Sequence, residues 1–190
     1  TLEANVENLS LTGSAAINGT GNTLANVLIG NAGANALAGG EGNDSYDGAA
    51  GSDTLTDAST SSSDVYRWGI GSALDTVADA GGASDRIDLG PGISAASLRF
   101  AQNGDHLVVS VLGQSDRLTI ANWYVSPNQQ VESFRFSDGS SILSSEVQAL
   151  VGAMAVFGAS EAAIETSSTS AAGVHAMRRT PDLFMPSSLL

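Results

Sequence analysis

The chain has 190 residues, of which 20 are Asp or Glu and 7 are Lys or Arg, so its formal net charge is −13. Such an acidic chain is repelled by nucleic acid and by anionic membranes, whereas its carboxylates attract hard cations. The lack of cysteine excludes disulfides and thiolate zinc sites, and no run of residues is apolar enough to span a bilayer.

A nine-residue repeat runs from Gly21 to Thr56 in four blocks, GNTLANVLI, GNAGANALA, GGEGNDSYD and GAAGSDTLT. Three columns keep the period, and chance hardly aligns three together. The columns are the opening glycines Gly21, Gly30, Gly39 and Gly48, the sixth residues Asn26, Asn35, Asp44 and Asp53, and the eighth residues Leu28, Leu37, Tyr46 and Leu55.

Each block predicts a glycine-rich turn followed by a very short strand whose large apolar residue points inward. One block cannot bury that residue alone, so the blocks must stack. We therefore predict an all-β fold, a parallel β-roll, followed by a small β-rich cap with a terminal helix. Consecutive blocks face opposite edges of the roll, which pairs the Asn26 turn with the Asp44 turn and the Asn35 turn with the Asp53 turn.

The block from Gly39 to Asp47 matches the pattern G-G-x-G-x-D-x-U-x at every specified position, and the next block departs at Ala49. The array resembles the repeats of the RTX (repeats-in-toxin) family, and this resemblance implies Ca²⁺ as the bound ion. Calcium takes several oxygens at once, from carboxylates and main-chain carbonyls. The predicted metal-site residues are Gly39, Gly40, Gly42, Asp44, Gly48, Gly51, Asp53, Asn26, Asn35 and, in a turn that lacks an expected glycine, Asp64.

The segment from Asp57 to Leu89 changes character, and its Asp-x-apolar triplets predict further, irregular rungs. We interpret Asp57 as part of a short insertion that breaks the nine-residue period. Asp75, Asp85 and Asp88 are expected to be turn or surface residues rather than ligands.

The cap shows strand and helix patterns of its own. Strands are predicted over 97–101 and 106–112, flanking a turn at Asn103-Gly104, and over 118–121 and 131–136. A helix is predicted to begin at Ser145, with Gln148 completing a capping box, and to end at Gly158.

The region 64–148 resembles the domain that commonly follows the repeats in haemolysin-type calcium-binding proteins. The segments that carry this resemblance are YRWGIGSALDTV, DRIDLGPGISAASLRF, DHLVVSV, LTIANWY and VESFRFSDG. The predicted organisation is a lead-in over 1–20, the calcium-binding roll over 21–91, the cap over 92–157 and a flexible tail over 158–190, for which the resemblance implies a type I secretion signal.

These patterns predict a calcium-dependent folding module, and the resemblance implies that it drives extracellular folding and type I secretion of a larger bacterial RTX protein. The resemblance implies that the partners of this module are calcium ions and the type I exporter. It also implies an extracellular location, and it leaves open whether the module attaches to the cell surface. Thr1 is not a start methionine and no signal peptide precedes the repeats, so we expect a fragment. No catalytic motif is present, so no enzymatic activity is expected of this chain. Two alternatives stay open, an adhesin module and the C-terminal region of a secreted protease or lipase.

Overall fold

Short strands dominate the chain in a computed structural model that describes residues 1–82 and 84–155. A 3₁₀ turn spans Pro127–Gln129, and one helix, α1, covers 144–155 within the described residues. The strands are β1 (Asn8–Ser10), β2 (Gly19–Thr20), β3 (Val27–Ile29), β4 (Ala36–Ala38), β5 (Ser45–Asp47), β6 (Thr54–Asp57), β7 (Val65–Trp68), β8 (Leu74–Asp79), β9 (Arg86–Leu89), β10 (Leu98–Asn103), β11 (His106–Val111), β12 (Arg117–Ile120), β13 (Ser133–Arg135) and β14 (Ser141–Leu143).

Successive strands from β1 to β9 alternate between two sheets, so that each strand pairs in parallel with the strand two places along the chain. The first sheet has the order β1-β3-β5-β7-β9-β13-β14, and the second has the order β2-β4-β6-β8-β12-β11-β10. This is the predicted parallel β-roll. Its strands are short because each rung needs only one inward side chain.

The interior of the roll is a ladder of apolar side chains from the eighth column of the repeat. Leu28 pairs with Tyr46 in the first sheet, and Leu37 pairs with Leu55 in the second. All four are buried to 1% exposure or less. The ladder continues beyond the repeats at Tyr66, whose ring stacks on that of Tyr46 with centroids 4.8 Å apart. Burial of each large apolar side chain contributes about 1.5–3 kcal/mol, so the stacked rungs supply the core.

The segment from β10 to β14 continues the two sheets. Strands β10, β11 and β12 form an antiparallel meander, and β12 then adds to β8 in parallel. Strand β13 adds to β9 in parallel, and β14 closes the edge of the first sheet. The segment 1–20, expected to lead into the roll, supplies β1 and β2, which pair with β3 and β4.

The hairpin between β10 and β11 turns one residue later than predicted. Asn103 belongs to β10 and pairs with His106, so the turn residues are Gly104 and Asp105. Gly104 has a φ of 60°, and a turn with positive φ at its first central residue favours glycine there. The sequence correctly predicted a hairpin here, but the position of its turn depends on which residues pair across the two strands.

Helix α1 begins at residue 144, and its capping residue differs from the predicted one. The Oε2 atom of Glu146 accepts a hydrogen bond of 2.8 Å from the backbone N–H of Leu143, as the third residue of a helix commonly does for its cap. Gln148 therefore does not fill the predicted role. Val147 is fully buried against the core. The predicted helix end at Gly158 and the tail at 158–190 lie outside the described residues.

Among the described residues, no helix is both long enough and apolar enough to cross a membrane.

Candidate metal centre

The turns of the roll collect at two edges, because the chain passes from one sheet to the other at each turn. The first edge carries the turns that precede β3, β5, β7, β9 and β13. The second edge carries the turns that precede the strands of the second sheet. Residues 18 positions apart in the repeat therefore lie next to each other on one edge.

A ladder of carboxylates runs along the first edge. The backbone N–H of Asn26 donates to Oδ1 of Asp44 at 2.7 Å, and the N–H of Asp44 donates to Oδ1 of Asp64 at 2.6 Å. The ladder continues through the N–H of Asp64 to Oδ1 of Asp85 at 2.8 Å. It ends where the N–H of Asp85 donates to Oε2 of Glu132 at 2.5 Å. Each acidic side chain thus caps the rung before it.

A second ladder follows the opposite edge. The N–H of Asn35 donates to Oδ1 of Asp53 at 2.7 Å, and the N–H of Asp53 donates to Oδ1 of Asp75 at 2.9 Å. Asp75 was expected to be a turn or surface residue, but its side chain is buried. The structure therefore brings together the turn pairs that the repeat predicted, Asn26 with Asp44 and Asn35 with Asp53.

One oxygen of three of these aspartates has no hydrogen-bond partner. The Oδ2 atoms of Asp44, Asp53 and Asp85 are buried and unpaired, although Oδ1 of each residue accepts a backbone N–H. Leaving a buried carboxylate oxygen unpaired is energetically expensive. These atoms therefore indicate a cationic partner, and the donor set fits calcium, which prefers carboxylate and carbonyl oxygens.

The glycines of the third and fourth repeat blocks make room for these oxygens. A Cβ atom at Gly39 would collide with the Asp44 carboxylate, and one at Gly48 would collide with that of Asp53. Gly40 and Gly42 have φ values of 110° and 103°, which side chains rarely tolerate. Backbone carbonyl oxygens of the adjacent turn also lie close to Gly40 and Gly42.

The predicted asparagines occupy the turns in a different way from the aspartates. Oδ1 of Asn26 accepts from the N–H of Asn22 at 2.8 Å, and Oδ1 of Asn35 accepts from the N–H of Asn31 at 2.8 Å. Their amide nitrogens donate to backbone carbonyls, as Asn35 does to Ile17 at 2.7 Å. Both residues lie beside the predicted sites, and their role as ligands stays a prediction.

Two further aspartates join the first edge from the ends of second-sheet strands. One carboxylate oxygen each from Asp44, Asp57 and Asp64 lies within 4.8 Å of the others, and the same holds for Asp64, Asp79 and Asp85. Calcium–oxygen distances of about 2.3–2.6 Å place opposite ligands about 5 Å apart, so either group could share one ion.

The sequence-based interpretation missed Asp57 and Asp79. It assigned Asp57 to an insertion, but Asp57 belongs to β6 and pairs in register with Asp79 of β8. A signal was available, because each follows a buried apolar residue by two positions, Leu55 or Val77, and alternate residues of a strand share one face. Asp85, expected to be a turn or surface residue, is fully buried.

Burial raises the pKa values of these carboxyls. Desolvation raises the pKa of Asp44 to about 6, and it raises the pKa values of Asp57 and Asp85 to about 7, with neighbouring carboxylates adding to each shift. The pKa values of Asp53 and Asp79 rise for the same first cause. The charged forms that a cation needs are therefore disfavoured until the cation is present.

These features define a calcium-binding β-solenoid. Two protein-family models match the chain, one described as the RTX calcium-binding nonapeptide repeat (4 copies) over residues 20–55 and the other as the haemolysin-type calcium binding protein related domain over residues 106–145. The chain therefore carries the nonapeptide repeats of the RTX calcium-binding proteins, followed by their related domain. Repeats of this kind bind Ca²⁺, and the unpaired oxygens of Asp44 and Asp53 fit that ion.

The pKa shifts predict opposite pH dependences for the metal-free and calcium-bound proteins. The folded pKa of Asp57 is about 7, above its ordinary value of 3.8, so between these pH values the metal-free folded state holds more protons than the unfolded state. Its stability should therefore fall as pH rises from 5 to 8. Calcium affinity should rise over the same range, because the ion binds carboxylates.

Urea unfolding of calcium-depleted protein at pH 5 and 8, together with calcium titration calorimetry at both values, measures the two trends. A metal-free protein that is more stable at pH 8 would contradict the buried, protonated state.

Proposed function

We propose that this chain is a calcium-dependent folding module of a secreted protein. The single observation that carries the proposal is the set of buried, unpaired Oδ2 atoms at the repeat-phased turns of Asp44 and Asp53. Without a cation, these turns bury carboxylates that lack a compensating charge. The residues that would hold calcium are Asp44 and Asp53 with the glycine-rich turns before them, Gly39 to Gly42 and Gly48 to Gly51.

The folding role follows from how the turns depend on each other. Each aspartate caps the backbone of the neighbouring rung, so the carboxylates must come close together before the short strands can pair. Bound calcium supplies positive charge at the turns. Since a site of this kind does not exist in the unfolded chain, the free energy of metal binding contributes directly to folding.

A non-enzymatic role suits this part of the protein. RTX repeat β-rolls are typically non-catalytic, and the aspartates of this roll are spaced with the repeat and paired with backbone N–H groups of neighbouring rungs. Carboxylates engaged in this way hold the turns together.

We further propose that the module acts outside the cell and leaves it through a type I exporter. Proteins with RTX repeats are generally secreted. A chain whose later turns need calcium completes its fold only where the ion is plentiful, which favours passage through an exporter before the roll has closed.

Calcium should increase the β-structure of the metal-free chain, because it removes the repulsion between buried carboxylates. Far-ultraviolet circular dichroism measures the gain, and magnesium should produce much less, since it demands stricter octahedral geometry. Asp44→Asn should raise the calcium concentration at the folding midpoint by about tenfold or more, which corresponds to about 1.4 kcal/mol.

Asp105→Asn is the matched control for this measurement, because Asp105 lies in the exposed hairpin turn and its replacement removes the same charge. If both variants shift the midpoint equally, net charge rather than the repeat turn governs folding. A spectrum that does not change with calcium would refute the proposed function.

Deleting residues 158–190 should abolish export from a bacterial host that carries a matching type I exporter, while calcium-dependent folding of the remaining chain persists. Immunoblots of medium and cells measure export. The control replaces 158–190 with an unrelated Ser- and Ala-rich segment of equal length. Normal amounts of the deleted chain in the medium would refute the export role without affecting the folding proposal.

A further inference from the structure

Asp85 shares the local geometry of the two consensus aspartates, although it lies outside the matched repeats. Its side chain is fully buried, its Oδ1 accepts from the neighbouring rung, and its Oδ2 is unpaired. A Cβ atom at Gly82 would collide with both the Asp85 carboxylate and the carbonyl oxygen of Ser62. Gly82 thus takes the place that Gly39 has beside Asp44, and it leaves a backbone carbonyl next to the unpaired oxygen.

Two more carboxylates converge on Asp85. One oxygen each of Asp64, Asp79 and Asp85 lies within 4.8 Å of the other two, and all three side chains are buried. Asp79 is oriented by hydrogen bonds from the Tyr66 hydroxyl at 2.8 Å and from the Gly81 N–H at 2.7 Å. Hydrogen bonds of this kind hold the carboxylates in place before a ligand arrives.

Among the residues that the structure describes, no protein cation neutralises this group. Within residues 1–82 and 84–155, the only ion pair joins Arg86 to Asp88. Desolvation raises the pKa values of Asp79 and Asp85, as expected for buried carboxyls that lack a positive partner. The donors are all oxygens, which favours a hard divalent cation over zinc or copper.

We propose that Asp64, Asp79 and Asp85 form an additional calcium site in the irregular rungs, beyond the nonapeptide repeats. The site joins β7, β8 and β9 through one ion. Because Oε2 of Glu132 accepts from the Asp85 N–H, the site also lies directly beside the segment that leads into β13. This site would bind the same kind of ion as the sites of the proposed function, on which it rests in that respect. It depends on different residues, and neither Asp44 nor Asp53 is among its ligands.

The test counts bound calcium ions on the full chain by native mass spectrometry and calorimetry. Asp79→Asn and Asp85→Asn each keep an oxygen for their backbone N–H partner, Gly81 or Asp64, and each should bind one ion fewer than the unaltered chain. Asp105→Asn should bind the full number. Asp53→Asn, which alters a repeat turn on the opposite edge, should lose a different ion.

An unchanged ion count in both Asp79→Asn and Asp85→Asn would overturn the site. The case against it would be clearest if the metal-free variants were also more stable than the unaltered chain, because a network of protonated carboxyls would explain both results. Loss of an ion in Asp53→Asn alone would leave the proposed function intact while this inference fails.

A further measurement needs no variant. Terbium at this site would lie near Tyr66, so ultraviolet excitation should give sensitised emission that calcium displaces, and bound terbium without such emission would also overturn it.

A separate observation concerns the opposite end of the roll, where asparagine amides bridge adjacent turns. Asn22 and Asn31 stand at the second position of their blocks, where the consensus block has Gly40. Each side-chain amide nitrogen donates to two backbone carbonyls of the preceding turn on its edge, and the two sets are related by nine residues. The bonds run from Asn22 to the carbonyls of Glu3 at 2.9 Å and Val6 at 2.8 Å, and from Asn31 to those of Thr12 at 3.2 Å and Ala15 at 3.0 Å.

We infer that these two amides link the first turns in place of an ion, so that this end of the roll forms without calcium. A side-chain NH₂ group has two donors and can satisfy two carbonyls at once. The amide of Asn22 is also fixed by its own turn, because Oδ1 accepts from the N–H of Leu24 at 2.9 Å. The calcium-free end would then present β3 and β4 as a template for later rungs.

Hydrogen exchange measured by mass spectrometry on the calcium-depleted full chain tests this inference. The N–H groups of Leu11 and Val27, which donate to backbone carbonyls across the first rungs, should exchange at least tenfold more slowly than those of Val65 and Thr76 in later rungs. Asn22→Gly should remove that protection around Val27.

Thr23→Gly is the control, because it adds a glycine to the same turn at an exposed position and keeps the amide. Equal exchange in early and late rungs, or equal loss of protection in Asn22→Gly and Thr23→Gly, would overturn the inference.

Discussion

The burial of carboxylates in stacked turns is the constraint on which the rest of this structure depends. Asp44 caps the backbone of the rung before it through Oδ1, and its Oδ2 remains unpaired in the interior of the edge. The same side chain therefore supports the backbone and leaves a buried oxygen free for a cation. Under the proposed function, folding and metal binding are coupled at these turns, because the extended chain does not hold the carboxylate oxygens at the spacing that an ion needs.

The apolar ladder is assembled from small contributions of the individual rungs. Most strands of the roll have three or four residues and bury one or two large side chains, and a rung contacts only its neighbours. The stacked rings of Tyr46 and Tyr66 show how the two parts meet, because their hydroxyls reach the acidic edge, where Tyr66 donates to Asp79. The hydrophobic interior and the carboxylate ladder are therefore linked within single side chains.

The repeats and the related domain share one pair of sheets. Strands β12 and β13 extend the parallel pairing of β8 and β9, and Glu132 continues the carboxylate ladder of the first edge. The antiparallel strands β10, β11 and β14 then occupy the ends of the two sheets. A roll that ended at β9 would expose unpaired strand edges, which invite association with other chains.

The sequence by itself determined the repeat, the inward ladder and the pairing of turns 18 residues apart, because a period of nine with separate columns for the turn glycines, the polar oxygens and the large apolar residues makes the blocks stack. Its resemblance to the RTX family implied calcium as the ion. Only the tertiary structure decided that Asp57, Asp79 and Asp85 converge with Asp64 and Asp44 at the acidic edge, since the nine-residue period is lost there and their partners come from other rungs. It also moved the hairpin turn to Gly104 and the helix cap to Glu146. Cross-strand register and capping geometry depend on contacts that a local pattern does not contain.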